Sequence, residues 1–313
     1  MTISVIIPTF RRPSYLLTAL RGLAAQQRLP DQIVLGLRRG DEETEAMLRE
    51  RASEIPDVEM AYVEVPGVVA SMQAALELTR GDIVCLLDDD AEPLLDWIGK
   101  IAARFSDDGR LGMVGGRDLL RDHPEMRAAE PTTGRVGIFT WSGRFLGNHH
   151  RGGGSFRRVD TLKGCNAAVR GDLLRRIGFE QSLRGAGAQV HWEIALCLDV
   201  AAAGFGVAYD PEIRVIHHIA PRYDIDQGHR GVFSPEGLYD MVWNEHFVVS
   251  NRMRPAKNFR HYLFAVLVGS YSAPGVVQYL RLLLRRDPHR NERFAITWKA
   301  IHDGRKASSH ARA

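Results

Sequence analysis

A chain of 313 residues, 45% hydrophobic and 25% charged, is long enough for one large α/β domain with an extension, or for two domains, and its balance excludes an intrinsically disordered protein. The three cysteines, Cys85, Cys165 and Cys197, are odd in number and far apart, which excludes a disulfide framework and points to buried free thiols in a reducing compartment. The net charge of +3 conceals an asymmetry: from Ser250 to Ala313 there are 13 Lys/Arg against 3 Asp/Glu, leaving 28 against 35 in the rest, so a basic tail follows a mildly acidic body. Such a tail suits a membrane surface or another polyanion.

Met1-Thr2-Ile3-Ser4 runs straight into a strand pattern, Ile3 to Ile7, with no signal-peptide character. The strand ends at Pro8-Thr9, and Pro13 suits the first position of a helix whose apolar face is Leu16, Ala19, Leu20 and Leu23. Ile33-Val34-Leu35 predicts a second strand ended by Gly36, followed by the polar loop Arg38 to Glu43, which opens a second helix. Met60 to Val63 predicts a third strand, and Val69, Met72, Gln73 and Leu76 a third helical face. Strand and helix thus alternate three times, the pattern of a doubly wound, mostly parallel sheet with helices on both faces.

The next strand carries the chemistry. Ile83-Val84-Cys85-Leu86-Leu87 is a continuous apolar run, as a strand buried on both faces requires, and it leads directly into Asp88-Asp89-Asp90. Open parallel sheets bind ligands at the carboxyl ends of their strands. Three adjacent carboxylates repel one another, and a hard divalent cation such as Mg²⁺ or Mn²⁺ compensates them well. The plainer reading is an acidic turn whose aspartate caps a helix starting near Pro93. Leu94, Ile98, Ile101, Ala102 and Phe105 then trace a helix, and Leu111 to Val114 a further strand. The turn after the first strand, Pro8-Thr9-Phe10-Arg11-Arg12-Pro13, has no Gly-x-Gly-x-x-Gly, which argues against an NAD-type dehydrogenase, and no P-loop is present.

Residues 116 to 160 show no clear period, as in a long functional loop. Order returns at Leu162 to Val169, then a short helix from Asp172 to Ile177 stopped by Gly178, then a helix bearing Ile194, Cys197, Leu198 and Ala201 with Gly204 as its stop. Val207 to Pro211 and Ile213 to His218 read as a strand, a turn and a strand. Further on, Leu263 to Leu267 and Val276 to Leu284 are apolar stretches broken by Pro274-Gly275; with Gln278 and Arg281 they suit an interfacial amphipathic hairpin better than a membrane span, the alternative being two ordinary core helices.

Taken together, four groups of residues resemble family 2 glycosyltransferases of the GT-A fold. They are Val5 to Arg12, Leu86 to Pro93, Lys163 to Arg170 with Ile177 to Glu180, and Trp192 to Leu196 through Gly204 to Tyr209-Asp210-Pro211 and His217. The resemblance implies a GT-A catalytic domain over about residues 1–222, its nucleotide-sugar half about 1–115 and its acceptor half about 116–222, with a basic, partly apolar helical extension over 223–313. It departs from the family pattern after the second strand, where Gly36-Leu37-Arg38-Arg39-Gly40-Asp41 stands in place of Asp-Asp-Gly-Ser, with Asp41 as the available substitute. It departs again at the catalytic position, where Trp192-Glu193 replaces the common Glu-Asp.

The activity so implied is an inverting, metal-dependent transfer of a sugar from a nucleotide-diphosphate donor to a glycan or lipid-linked acceptor, on the cytoplasmic side and peripherally at a membrane face, with no nucleic acid involved. Asp90 and His217 are the expected ligands of Mn²⁺ or Mg²⁺, with Asp88 and His218 as alternates. Pro8, Thr9, Arg11, Asp41, Asp88, Asp89 and Asn166 are expected to meet the donor. Glu193 is the expected general base, with His191 as its alternate. A nucleotidyltransferase and a non-catalytic sugar-binding module are the rival readings. The first would prefer a glycine-rich first turn.

Overall fold

In the computed structural model, residues 1–120, 133–218, 220, 221, 223 and 233–310 are described. Chain contacts divide it into two units: residues 1–138, 147–179 and 199–221 form the first, and 139–146, 180–198 and 222–313 the second.

The first unit is built on β1 (Ile3–Thr9), α1 (Pro13–Ala24), β2 (Gln32–Arg38), α2 (Glu42–Glu50), β3 (Glu59–Val63), α3 (Val68–Leu78) and β4 (Ile83–Leu87). β1 pairs in parallel with β2 on one side and β4 on the other, and β3 extends the sheet beyond β2. The chain therefore moves outward from β1 to β3 and then returns to the opposite side of β1. That reversal opens a crevice at the carboxyl ends of β1 and β4. Ile3, Val5 and Ile7 bury against Leu16, Leu20 and Leu23 of α1, while α3 packs against β1, β2 and β3. With both faces covered, β1 and β4 have no solvent side, which is why neither alternates polar and apolar residues.

Beyond β4 the structure departs from a simple alternation. Ala91–Pro93 is a short strand, β5, and the next helix, α4, spans Trp97–Asp107. The helix expected near Pro93 starts later because Pro93 sits in an edge strand, where its missing N–H is tolerated. β6 (Leu111–Leu120) is longer than the four residues its apolar run predicts. Its middle reads Gly115-Gly116, and a Cβ on Gly116 would lie 1.8 Å from the Ile213 carbonyl oxygen, so close strand packing replaces side-chain periodicity there.

The remaining strands are β7 (Ile138–Phe139), β8 (Phe145–Leu146), β9 (Arg157–Arg158) and β10 (Asn166–Arg170), followed by α5 (Gly171–Ile177), α6 (Trp192–Ala202) and β11 (Gly206–His217). β10 inserts antiparallel between β4 and β6, making the sheet mixed. The sheet order is β3-β2-β1-β4-β10-β6-β11-β5, with β9 also paired to β11. The turn expected at Asp210-Pro211 is a register shift within the single strand β11, between Asp210 and Arg214.

In the second unit, α7 (Pro235–Arg252), α8 (Pro255–Leu267), α9 (Val276–Leu284) and α10 (Arg290–His310) form the helical C-terminal region. Leu238 and Val242 of α7 bury against Ala300 and Ile301 of α10. Among the described residues no helix is long and apolar enough to cross a membrane.

Gly36 lies inside β2 and not at its end. A Cβ there would fall 2.3 Å from Ser71 Oγ and 2.5 Å from Ser71 O, and the Ser71 hydroxyl donates to the Gly36 carbonyl at 2.7 Å. Gly36→Ala is expected to force α3 off the sheet and destabilise the fold by about 1–3 kcal/mol. Urea unfolding of the two proteins measures this.

Candidate active site

The site follows from strand register. β4 delivers Asp88, Asp89 and Asp90 to the crevice at its carboxyl end. β5 follows at once and pairs antiparallel with the end of β11, with Ala91 opposite His217 and Pro93 opposite Val215. That pairing sets His217 beside Asp90, with Nε2 3.1 Å from Asp90 Oδ1. β11 also runs parallel to β6, placing Val215 opposite Asp118; residues 215 and 217 share a sheet face, so Asp118 and His217 meet.

One atom each from Asp88, Asp90 and His217 comes within 4.8 Å of the other two. His217 Nε2 is buried and lacks an aligned hydrogen-bond partner. Two hard carboxylate oxygens and an imidazole nitrogen that converge in this way fit Mn²⁺ or Mg²⁺. His218, the alternate ligand, points elsewhere: its Nε2 is 3.1 Å from Glu92 Oε2 and its backbone N–H donates to the Asp90 carbonyl.

The three aspartates have different surroundings. Asp89 accepts from the Thr9 hydroxyl at 2.9 Å and from Arg12 at 2.8 Å. Burial nevertheless pushes its carboxyl up to about 6, the Arg12 charge only partly offsetting burial and the neighbouring Asp90. Asp90 accepts from the Ala220 backbone N–H at 2.9 Å. Burial opposes its ionisation too, but His217, Arg12 and that backbone N–H outweigh it and hold the carboxyl well below the usual range. Asp88 is partly exposed, and desolvation together with the Asp90 charge raises its pKa.

His217 is held between two carboxylates. Burial alone would lower its pKa, but Asp118 and Asp90 push it up to about 9. Lys163 forms an ion pair with Asp118, and its ammonium lies 3.3 Å from His217 Nδ1. Burial of Asp118 is outweighed by Lys163 and His217, which keep it ionised.

Several expected donor residues line the same end of the sheet, with tasks the sequence does not reveal. Pro8 pairs with Gly36 across β1 and β2. The cation facing the aspartates is Arg12; its neighbour Arg11 is exposed, with its guanidinium 5.0 Å over the Phe10 ring. Asp41 is buried as the N-cap of α2, accepting from the Thr44 backbone and hydroxyl and from the Arg11 backbone N–H, so it ties the first turn to α2. Asn166, expected to meet the donor, lies in the core of the first unit. It is 1% exposed, its amide oxygen accepts from Trp97 Nε1 at 2.8 Å, and its amide nitrogen donates to the Ile213 and Arg117 carbonyls. With both ends of the amide engaged in the core, it ties β10 to its neighbours.

Glu193 and His191 belong to the second unit. Glu193 is half-buried in the first turn of α6, where a helix N-terminus favours a carboxylate. His191 precedes that helix with a left-handed φ of 81°, and its ring lies 3.9 Å from Glu245. Burial lowers its pKa.

Arg12, Asp118 and Lys163 are missing from the sequence-based set. Arg12 shares a motif with Arg11, and only the direction of the turn separates them. Asp118 lies in a stretch without periodicity, and Lys163 stands three residues before β10.

Residues 4–168 match the family model for glycosyl transferase family 2. A glucosyl-dolichyl phosphate glucuronosyltransferase of Haloferax volcanii is 25% identical over 230 residues, covering 70% of this chain and 70% of that protein. Among solved structures, S. aureus TarS 1–349 in complex with UDP-GlcNAc superposes with a TM-score of 0.57 at 14% identity, over 100% of this chain and 92% of that one. The mannosyltransferase PcManGT of Pyrobaculum calidifontis, in complex with GDP-Man and Mn²⁺, gives a TM-score of 0.57 at 18% identity, over 99% of this chain and 88% of that one. At these identities the structural likeness speaks for the fold.

The raised pKa of His217 has a stability consequence of definite sign. A histidine whose folded pKa lies above its unfolded value of about 6.5 stabilises the fold fully below that pH, and the stabilisation is lost as pH rises towards about 9. The metal-free protein is expected to lose melting temperature across this window by a component that His217→Gln lacks. Thermal melts of both proteins over that pH range test it.

Proposed function

Because the chain belongs to glycosyl transferase family 2, we propose that this glycosyltransferase is inverting and metal-dependent, moving a sugar from a nucleotide-diphosphate donor onto a hydroxyl of a glycan or lipid-linked acceptor. The observation that carries the metal-dependent part is the convergence of Asp88, Asp90 and His217 at the mouth of the crevice between β1 and β4. These three residues would hold Mn²⁺ or Mg²⁺, and a divalent ion bound there supplies Lewis-acid neutralisation of the donor's two phosphates. PcManGT, solved with GDP-Man and Mn²⁺, and TarS, solved with UDP-GlcNAc, support the choice of ion and donor class. The dolichyl phosphate in the name of the Haloferax relative supports a lipid-linked acceptor.

The residues around the ion site divide the work among them. Arg12 stays on Asp89, keeping that carboxylate turned away and leaving Asp88 and Asp90 for the ion. Asp118 and Lys163 hold the His217 ring in place from its Nδ1 side, as outer partners of metal-binding histidines commonly do. Thr9 and Pro8 shape the wall where the nucleotide enters, and Asp41 fixes the loop of Arg11. Glu193 takes the acceptor's hydroxyl proton as its oxygen forms a bond to the anomeric carbon; the bond from that carbon to the diphosphate breaks, and its electron pair leaves with the diphosphate. One such displacement inverts the anomeric configuration. His191 suits this task less well, since its ring lies against Glu245 and desolvation disfavours its protonated form. Residues 1–222 are read as the catalytic domain and the basic region beyond as its contact with a membrane surface on the cytoplasmic side.

A thermal-shift panel tests the donor site. UDP, GDP, dTDP and CMP are each added with and without Mn²⁺ to the wild type and to Asp90→Ala. Mass action predicts that one nucleotide raises the melting temperature only with Mn²⁺, and that Asp90→Ala loses this shift. No shift with any nucleotide in a well-folded wild type overturns the donor site. Once a donor is known, Glu193→Gln is expected to retain the shift and lose about 10²–10⁴-fold in turnover. Unchanged turnover removes Glu193 from the mechanism.

A further inference from the structure

The apolar face of α9 points away from the protein. Val276-Val277-Gln278-Tyr279-Leu280-Arg281-Leu282-Leu283-Leu284 has one buried residue, Leu282 at 1% exposure. Tyr279 also faces inward: its ring centroid is 4.5 Å from that of Phe294, and its hydroxyl donates to Asn291 at 2.9 Å. At 3.6 residues per turn, Val276, Val277, Leu280, Leu283 and Leu284 fall together in an arc of about 120° on the other side. They are 40%, 40%, 52%, 46% and 83% exposed. An amphipathic helix packed for stability alone would turn this arc inward. Here the inward side is already satisfied by Tyr279 and Leu282, and five aliphatic side chains meet solvent.

The charges on α9 and the two residues after it are all positive. Arg281, Arg285 and Arg286 are exposed, and the nearest acidic residue in sequence, Asp287, follows them with its carboxylate engaged by the Tyr271 hydroxyl and the His289 backbone N–H. Nine residues at about 1.5 Å each make a helix of about 14 Å, less than half the hydrocarbon thickness of a bilayer, so α9 can lie in a membrane interface and cannot span it. An aliphatic arc bordered by arginines matches that interface, with acyl chains below and anionic headgroups at the level of the guanidinium groups. A second copy of this chain fits less well, because a two-fold contact through the same arc would bring the same three arginines together from both sides.

We propose that α9 docks in the plane of an anionic phospholipid surface, with Val276, Val277, Leu280, Leu283 and Leu284 in the acyl boundary and Arg281, Arg285 and Arg286 on headgroup phosphates. This rests on the membrane-surface part of the functional reading and names its contact residues and lipid class. It is independent of the donor site. Arginines alone give attraction that salt screens, and aliphatic residues alone give no choice of lipid. The combination requires both anionic charge and an accessible acyl boundary.

The test is flotation of the full chain with vesicles of phosphatidylcholine, with and without one-third phosphatidylglycerol. The wild type is expected to float with the anionic vesicles about tenfold more than with neutral ones, and less as salt rises. Leu280→Glu/Leu284→Glu changes two exposed side chains, so it should keep the wild-type melting temperature and nucleotide response while losing flotation. Absence of wild-type binding to anionic vesicles overturns the proposal, as does undiminished binding by the double variant. A dimer in sedimentation velocity that the double variant abolishes, with no vesicle binding by the wild type, reassigns the arc to a contact between copies. Vesicle binding without any nucleotide response would instead sink the donor-site reading and leave this one standing.

Discussion

Three carboxylates leave the end of a strand that is buried on both faces, and their repulsion has to be balanced where water cannot do it. The surrounding chain supplies the balance from three separate places. Arg12 comes from the turn after β1, His217 from the far end of β11, and Lys163 from the approach to β10. Each is held by a further partner: Arg12 by the Pro221 carbonyl, and His217 and Lys163 by Asp118. The sheet order is what makes these meetings occur, since β1 and β10 flank β4, and β5 carries the acidic turn across to β11.

The balance is uneven, and the unevenness is useful. Asp89 is closed off by Thr9 and Arg12. Asp90 is held ionised by His217, Arg12 and a backbone N–H. Asp88, partly exposed and beside an ionised neighbour, keeps a raised pKa. A divalent ion shared by Asp88, Asp90 and His217 would relieve the two features that side chains leave in tension, the Asp88–Asp90 repulsion and the unaligned His217 nitrogen. Metal binding in such a site releases protons, so affinity for the ion and the protonation of His217 oppose each other. The second unit adds a different surface, helical and basic, where α9 leaves an apolar arc outside its own packing.

Much of the fold was legible because burial on both faces writes itself into composition. Ile3 to Ile7 and Ile83 to Leu87 are apolar at every second position and in between, apart from Ser4, whose hydroxyl is satisfied by Gln32. The acidic motif was legible because three aspartates directly after a fully apolar strand are a local feature of the chain. The length of β6 was not legible, because Gly115 and Gly116 pack through backbone and leave no side-chain pattern. Nor were the hydrogen bonds of Asn166, since its partners, the Trp97 indole and the Ile213 and Arg117 carbonyls, come from distant parts of the chain.

By itself the sequence determined the α/β class, the family, the acidic strand end and the basic character of the last sixty or so residues, because hydrophobic period, motif order and charge are local properties of a chain. Only the tertiary structure decided which cation faces the aspartates, which histidine joins them, and which side of α9 is covered. Arg11 and Arg12 are chemically alike, as are His217 and His218. What separates each pair is one residue of register or one bend of the backbone, which sends adjacent side chains in different directions. That choice belongs to strands brought together from distant parts of the chain.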